Sequence, residues 1–207
     1  MTPLLSISSP TLISTYLYPD NITPTDATDW ELGGIGLSNS SQGLEVQAWE
    51  MVVAGTLGQP GTAIYVSSPN TASTQLLQVD GITFARFTFD QNMKPVVTYV
   101  AAGHTYFWWY DATIPGYTTL ALPSTAGQAA CTLDDKYPLA TFTNTNDIIL
   151  CYVNNNELCF RRQRDRYATE YVWVANLSQY IANPRVNRIG MTENRRLLID
   201  IEGSLYQ

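Results

Sequence analysis

The sequence of 207 residues predicts an all-β fold, and three observations lead to this prediction. From residue 44 onward, short segments rich in Val, Ile, Thr, Tyr, Phe and Trp alternate with Gly, Pro, Asn and Asp, which is typical of strands and turns. The runs Asp80-Gly81 and Asn154-Asn155-Asn156 predict tight hairpin turns, because these residues tolerate a positive φ. Only residues 177–181 favour a helical turn or two.

The predicted strands follow one another closely and are separated by turn residues. Their bounds are 44–53, 63–67, 75–79, 82–89, 96–100, 105–110, 117–122, 139–142, 148–153, 157–161 and 170–174. Strands joined in this way, with almost no helix between them, define the all-β class.

An internal repeat indicates the architecture. A shift of 43 residues aligns Pro95 with Pro138, Thr98 with Thr141, Phe107 with Leu150, Trp109 with Tyr152 and Tyr117 with Phe160. A period of about 40–45 residues with four short strands is typical of one propeller blade. A single blade cannot bury both of its apolar faces, whereas radial stacking buries both and leaves only short edges.

We therefore predict a β-propeller-like domain over residues 44–207, with about four four-stranded blades. The alternative is a β-sandwich or barrel in which the repeat is coincidental. Four blades is the low end for a closed ring, so closure could need a strand from the N-terminal segment.

Residues 1–43 are predicted to form an extended N-terminal arm or docking segment. They hold four prolines, many Ser and Thr and a Gly-rich stretch, without sustained alternation. Tyr16, Tyr18 and Trp30 are candidate anchors that would contact either the chain's own domain or a neighbouring subunit.

Composition narrows the class of function. Only 14% of the residues are charged, against roughly 25% in an ordinary soluble domain. Residues 1–85 contain no Lys or Arg, and the net charge of -7 argues against general nucleic-acid binding. An uncharged polar surface is easily desolvated, and charge is depleted at interface cores, so the composition favours assembly with neighbouring subunits.

Several other classes are not expected. The sequence contains neither an apolar run long enough for a membrane span nor a basic segment typical of a secretory signal. Cys131, Cys151 and Cys159 lack the spacing of a zinc site, and their odd number does not suggest a disulfide framework. We expect no metal and no cofactor.

No catalytic motif is present in the sequence. His104 is the only histidine, and we interpret it as a turn residue between strands. Asp90, Asp111, Asp134 and Asp147 lie at predicted strand ends, where turn chemistry explains them. We therefore predict a non-enzymatic protein, although a hydrolase built around His104 is a further alternative.

Two clusters are candidate interaction sites. Arg161, Arg162, Arg164 and Arg166 form the one basic cluster, placed in a loop after the strand segment at 157–160, and could contact acidic residues of another copy. The run Phe107-Trp108-Trp109-Tyr110 is expected to lie mostly in the core, with Trp108 and Tyr110 as candidate glycan-stacking residues. A solvated loop is the simpler interpretation of the arginines.

The repeat also resembles a known group of proteins. A Pro-x-x-Thr-[Tyr/Phe] strand after an acidic turn, and the run Arg188-Ile-Gly-Met-Thr-Glu-Asn before Leu-Leu-Ile-Asp-Ile, resemble blade-like repeats in tail proteins of short-tailed bacteriophages. The resemblance covers roughly residues 44–203. It implies a virion protein in the tail or at a fibre or collar attachment. The implied partners are tail, portal-vertex or fibre components, and the chain would be a homo-oligomer in the particle. A carbohydrate-binding β module is the alternative.

Overall fold

The computed structural model of the chain describes residues 4–8, 30–40, 43–68, 71–90, 94–134, 147–191 and 196–204. These residues form an all-β protein, as predicted. The strands are β1 (Leu4–Ser8), β2 (Trp30–Ser40), β3 (Gly43–Ala54), β4 (Ala63–Ser68), β5 (Thr71–Gln78), β6 (Ile82–Phe89), β7 (Pro95–Ala101), β8 (His104–Asp111), β9 (Gly116–Ala121), β10 (Ala130–Leu133), β11 (Ile148–Asn154), β12 (Glu157–Arg162), β13 (Tyr171–Val174), β14 (Ala182–Met191) and β15 (Leu197–Ser204). Helical structure in the described part of the chain is confined to 3-10 turns at Gln163–Asp165 and Leu177–Gln179.

One compact unit comprises residues 15–122. It contains two four-stranded antiparallel sheets, in which β2 to β5 and β6 to β9 follow one another in chain order. Apolar side chains from both sheets share one core, which includes Met51, Ile64, Val97, Tyr99 and Trp108.

The second unit combines residues 1–14 with residues 123–207. Strands β10 to β13 form a third four-stranded antiparallel sheet, and β14 and β15 form a fourth sheet with β1. Leu4 to Ser8 of β1 pair in parallel with residues 198–202 of β15, which also pairs with β14 on its other edge. Phe160, Leu177, Ile199 and Ile201 belong to the core of this unit.

The predicted N-terminal arm therefore contains two strands. Residues 30–40 form β2, which pairs with β3 over its whole length, and residues 4–8 form β1. β2 was not predicted because its Gly-rich stretch at 33–36 lacks the β-branched and aromatic residues that indicate a strand. The compact units divide the chain at 14/15 and 122/123, and the boundary at residue 43 stays a prediction.

The structure gives the internal repeat a different register. Strands β2, β6, β10 and β14, each of which opens a run of consecutive strands in one sheet, begin at residues 30, 82, 130 and 182, with spacings of 52, 48 and 52. Val97 pairs with Trp108 in the β7–β8 hairpin, and Leu150 pairs with Arg161 in the β11–β12 hairpin, so equivalent residues lie 53 apart.

The predicted shift of 43 residues is wrong for these strands. It equates β8, the third strand of its sheet, with β11, the second strand of its sheet. The predicted strand at 139–142, which contains the repeat residues Pro138 and Thr141, lies outside the described residues, and both edges of β11 are already paired, with β10 and β12. The error arose because similar apolar runs occur in successive strands.

The two equivalent hairpins turn through residues with positive φ. Ala102 and Gly103 have φ of 50° and 77°, while Asn155 and Asn156 have φ of 49° and 64°. Two consecutive residues in this conformation are typical of the type I′ turn, which Asn and Gly favour.

Ala102→Asn is expected to raise the free energy of unfolding by about 0.5–1 kcal/mol. Alanine is strained in the left-handed conformation by roughly 1–2 kcal/mol, whereas asparagine tolerates it, and the exposed Ala102 has no core contact to lose. Urea unfolding measures the change. Asn155→Ala at the equivalent position should shift the stability in the opposite direction, and a loss on Ala102→Asn would contradict the argument.

Gly203 in β15 lies where a side chain has no room. A Cβ atom at this position would lie 2.5 Å from the carbonyl oxygen of Ala182 and 2.7 Å from Cγ1 of the buried Ile181. Gly203→Ala is therefore expected to lower the free energy of unfolding by about 1–3 kcal/mol, measured by chemical denaturation. Gly190→Ala in β14 is the matched control, because nothing lies within 4 Å of its added Cβ, and equal losses in both variants would refute the steric explanation.

Candidate functional site

The predicted basic cluster spans a strand end and the turn that follows it. Arg161 and Arg162 are the last residues of β12, where they pair with Leu150 and Ile149 of β11. Arg164 lies in the 3-10 turn, and Arg166 follows it in the left-handed conformation. The prediction that all four lie in a loop is wrong for the first two, because β12 continues two residues past Phe160.

Arg161 is the centre of a polar network inside the second unit. Its Nε donates to the hydroxyl of Tyr152 at 2.7 Å, and its Nη1 donates to the carbonyl oxygen of Tyr167 at 2.7 Å. Its Nη2 lies 3.4 Å from Oε2 of Glu170, to which the Tyr152 hydroxyl also donates. The side chains of Arg161 and Glu170 are 16% and 27% exposed, so the ion pair is mostly removed from water.

Two further residues extend this network. Asn154 donates through Nδ2 to Oε1 of Glu170 at 3.3 Å and accepts from the Thr125 hydroxyl at 2.6 Å. Burial alone would raise the pKa of Glu170, but hydrogen bonds from Tyr152 and Asn154 and the charge of Arg161 outweigh it and hold this pKa below its ordinary value. These hydrogen bonds and the ion pair thus connect the segments around Thr125 and Glu170 to β11 and β12.

Other arginines of the cluster also have partners in the same unit. Arg164 forms an ion pair with the buried Asp147, and the guanidinium of Arg162 lies 5.2 Å from the centre of the Phe160 ring. The side chain of Arg164 is about half exposed, and Arg166 is exposed. Contact of this cluster with another copy stays a prediction, and only Arg164 and Arg166 are exposed enough to make it.

The aromatic run lies in β8, which is largely buried. Phe107 and Trp109 are buried, as expected, but Trp108 is only 9% exposed and belongs to the core. The ring of Tyr117 covers Trp108, with a centroid distance of 3.9 Å and an interplanar angle of 4°. Trp108 is therefore a support for Tyr117 and offers little ring surface of its own.

Tyr117 in β9 is the exposed aromatic residue of this region. It is 40% exposed and meets Tyr110 edge to face at 5.4 Å, and the ammonium of Lys94 lies 5.1 Å from the Tyr110 ring centre. Burial, followed by the charge of Asp90 and the neighbouring Tyr110, raises the pKa of Tyr117 to about 12, so its phenol is neutral at physiological pH. We call Trp108, Tyr110 and Tyr117 the aromatic patch.

Sequence analysis did not single out Tyr117. Its position could have been found from the β8–β9 hairpin. In the register of this hairpin, Tyr110 faces Tyr117 and Trp108 faces Thr119. In the second unit, Tyr171 is similarly 41% exposed and stacks against Phe160 at 4.9 Å.

A further feature is shared by the last strands of the three four-stranded sheets. These strands, β5, β9 and β13, have the sequences TASTQLLQ, GYTTLA and YVWV, without a charged residue. Each lies at the edge of its sheet, and we call them the outer strands. The largest exposed apolar side chains include Tyr117 on β9 and Tyr171 and Val172 on β13.

Two of the three thiols are buried, whereas the histidine is exposed. His104 is exposed and begins β8 directly after the Ala102–Gly103 turn. Burial raises the pKa of Cys151 well above its ordinary value and, with the charges of Glu170 and Glu157, raises that of Cys159 to about 12. Both thiols therefore stay protonated, and Cys131 is a third free cysteine.

The remaining candidate anchors lie at the N-terminal end of the chain. Tyr16 and Tyr18 are outside the described residues. Trp30 is the first residue of β2 and pairs with Val53, and the structure describes only its backbone.

Comparison with protein-family models, curated proteins and solved structures finds no match to this chain. Within the described residues, no helix has the length and apolar character needed to cross a membrane.

Proposed function

We propose that this chain is a non-enzymatic structural protein of a bacteriophage particle, located in the tail or at a fibre or collar attachment. The observation that carries the proposal is the set of uncharged, exposed outer strands. Most proteins protect such edges with lysine, proline or a covering segment, because an open edge pairs readily with another chain. An edge that carries no charge is suited to permanent contact with neighbouring subunits.

We further propose that the four sheets are blades of a propeller-like body. Strands β2, β6, β10 and β14 start at intervals of 48 to 52 residues, longer than the predicted period but close to the roughly 50 residues of the longer type of propeller blade. Every residue of β11 is buried, and radial stacking buries both faces of a sheet in this way. The pairing of β1 with β15 supports a body in which the first strand completes the last sheet.

A direct test is to purify particles of the phage whose genome carries this gene and to analyse them by mass spectrometry. The chain should sediment with intact particles and remain after washing in high salt, at a constant ratio to the other tail proteins. Its presence only in the soluble fraction of the lysate would refute the proposal. Neighbouring reading frames for portal and tail proteins would support it independently.

A carbohydrate-binding module is the second candidate, and the aromatic patch is the observation that favours it. Tyr117 rests flat on Trp108, and a supported, partly exposed ring can stack on the apolar face of a sugar. On a glycan array, Tyr117→Ala should abolish binding, whereas Tyr180→Ala, at another exposed tyrosine, should not. Absence of glycan binding by the unaltered chain would remove this candidate.

A further inference from the structure

The edge of β9 that faces away from β8 is a candidate contact surface. β9 is the last strand of its sheet, and among the described residues only β8 pairs with it. Tyr117, Thr118, Thr119 and Ala121 are exposed.

β9 differs from the other outer strands in its regularity. Pairing of β4 with β5 shifts register twice, and pairing of β12 with β13 shifts once and involves only a four-residue strand. Bulges and short strands reduce the length of edge that a partner strand can pair with, so β5 and β13 offer less of it than β9. β9 pairs with β8 in unbroken register from Gly116 to Ala121.

The register also identifies the backbone groups that point outward. The Leu122 N–H donates to the Thr105 carbonyl at 2.9 Å, so these facing residues form a hydrogen-bonded pair. In an antiparallel ladder, bonded and non-bonded pairs alternate. Counting back along the unbroken register, Tyr117, Thr119 and Ala121 direct their N–H and C=O groups away from β8.

We infer that β9 pairs with β9 of a second copy, antiparallel and around a two-fold axis at Thr119. In this register Thr119 faces Thr119 of the partner subunit, and Tyr117 faces Ala121 of the partner subunit. Facing threonines are a favourable cross-strand pair, and a large side chain opposite a small one packs without a clash. No charged residue lies in β9, so two identical strands meet without repulsion.

The outward backbone groups of both copies satisfy one another in this arrangement. The bonded pairs are formed by the three outward residues of each strand, and two four-stranded sheets join into one continuous sheet. The contact is isologous, so it closes as a dimer and does not propagate into fibres. This pairing deepens the proposed function and rests on it, because it makes the uncharged outer edge a contact between copies.

The experiment compares the full-length chain with Ala121→Pro and Ala121→Ser by analytical ultracentrifugation over a range of concentrations. Proline removes the outward N–H of Ala121 without touching a bond to β8, whereas serine keeps it. The unaltered chain and Ala121→Ser should dimerise with similar affinity, and Ala121→Pro should dimerise at least tenfold more weakly. A monomer at all concentrations, or an equally tight Ala121→Pro dimer, would overturn the inference.

A second measurement covers the case in which Ala121→Pro fails to fold. In the unaltered chain, amide hydrogen exchange at Tyr117, Thr119 and Ala121 should slow as concentration rises, and unchanged exchange would overturn the pairing. A monomer that is nevertheless found in purified particles would refute the pairing and leave the proposed function standing. A β9-paired dimer that never occurs in particles would support the pairing and refute the proposed function.

Discussion

Replacing Arg161 by alanine is expected to lower the free energy of unfolding by about 2–3 kcal/mol. The substitution leaves Glu170 and the Tyr152 hydroxyl mostly buried without their cationic partner, and loss of one member of a buried pair costs more than the pair contributes. Partial exposure of both side chains places the loss below the 3–5 kcal/mol typical of fully buried pairs. Urea unfolding of the purified chain measures it.

Arg185→Ala is the matched control for this prediction. Arg185 also forms an ion pair, with Glu202, but its side chain is about half exposed. An exposed pair contributes roughly 0–1 kcal/mol, so this variant should stay close to the unaltered chain. An equal decrease of the unfolding free energy in both variants would show that burial does not increase the contribution of Arg161 to stability.

The same network makes a prediction about pH. The pKa of Glu170 is lower in the folded chain than its ordinary value of 4.5, so its contribution to stability is present above that value and is lost as pH falls through the folded pKa. The difference in unfolding free energy between the unaltered chain and Glu170→Gln should therefore be largest near neutral pH and shrink below about pH 4. A difference that stays constant with pH would contradict the assigned role of the carboxylate.

Deletion of residues 1–8 is expected to lower the free energy of unfolding by about 3 kcal/mol or more. β15 would lose the parallel partner of residues 198–202, and each lost ladder hydrogen bond contributes about 0.5–1.5 kcal/mol. Ile199 and Ile201, both fully buried, lie in the strand that would become an edge. Thermal unfolding followed by circular dichroism measures the loss.

Restoring the missing strand as a separate peptide is the control for this deletion. A synthetic peptide of residues 1–8 should bind the shortened chain and raise its unfolding temperature as peptide concentration increases. A peptide of scrambled sequence should have no effect. Full stability of the shortened chain without peptide would mean that β1 contributes nothing to the last sheet.

Much of the strand content could be predicted from the sequence. Ten of the eleven predicted strands correspond to strands of the structure, because β-branched and aromatic residues between turn residues are a local signal. Residues 82–89 match β6 at both ends. β10 and β14 were missed because the first has four residues and the second carries two arginines and two asparagines on an irregular strand.

Pairing over long distances could not be predicted. The partnership of β1 with β15 joins residues almost 200 positions apart, and β1 lies in a proline-containing segment with no distinctive pattern. The repeat register was wrong for a related reason. Short apolar runs of similar sequence can be aligned with any of several strands, so they do not identify the equivalent one. The positive φ at Ala102 and at Asn155 does identify the equivalent turns.

The candidate sites were predicted less well than the fold. Sequence analysis identified the arginines but not their burial, because Glu170 and Tyr152 are brought to Arg161 only by the folding of β11 to β13. Trp108 and Tyr110 were the candidate stacking rings, whereas Tyr117 in the edge strand β9 is the most exposed of the three. Exposure depends on which strand ends a sheet, and composition carries no information on that.

The pairing of β1 with β15 also sets an order on biosynthesis. Residues 15–122 form one unit from a continuous stretch of chain. All strands of this unit can therefore leave the ribosome and fold before residues 123–207 are translated. The other unit contains the pairing of β1 with β15, whose partners lie almost 200 positions apart in the chain. β1 therefore cannot form its ladder with β15 until residues 198–202 have been translated, so this sheet is completed late in the folding of the newly made chain.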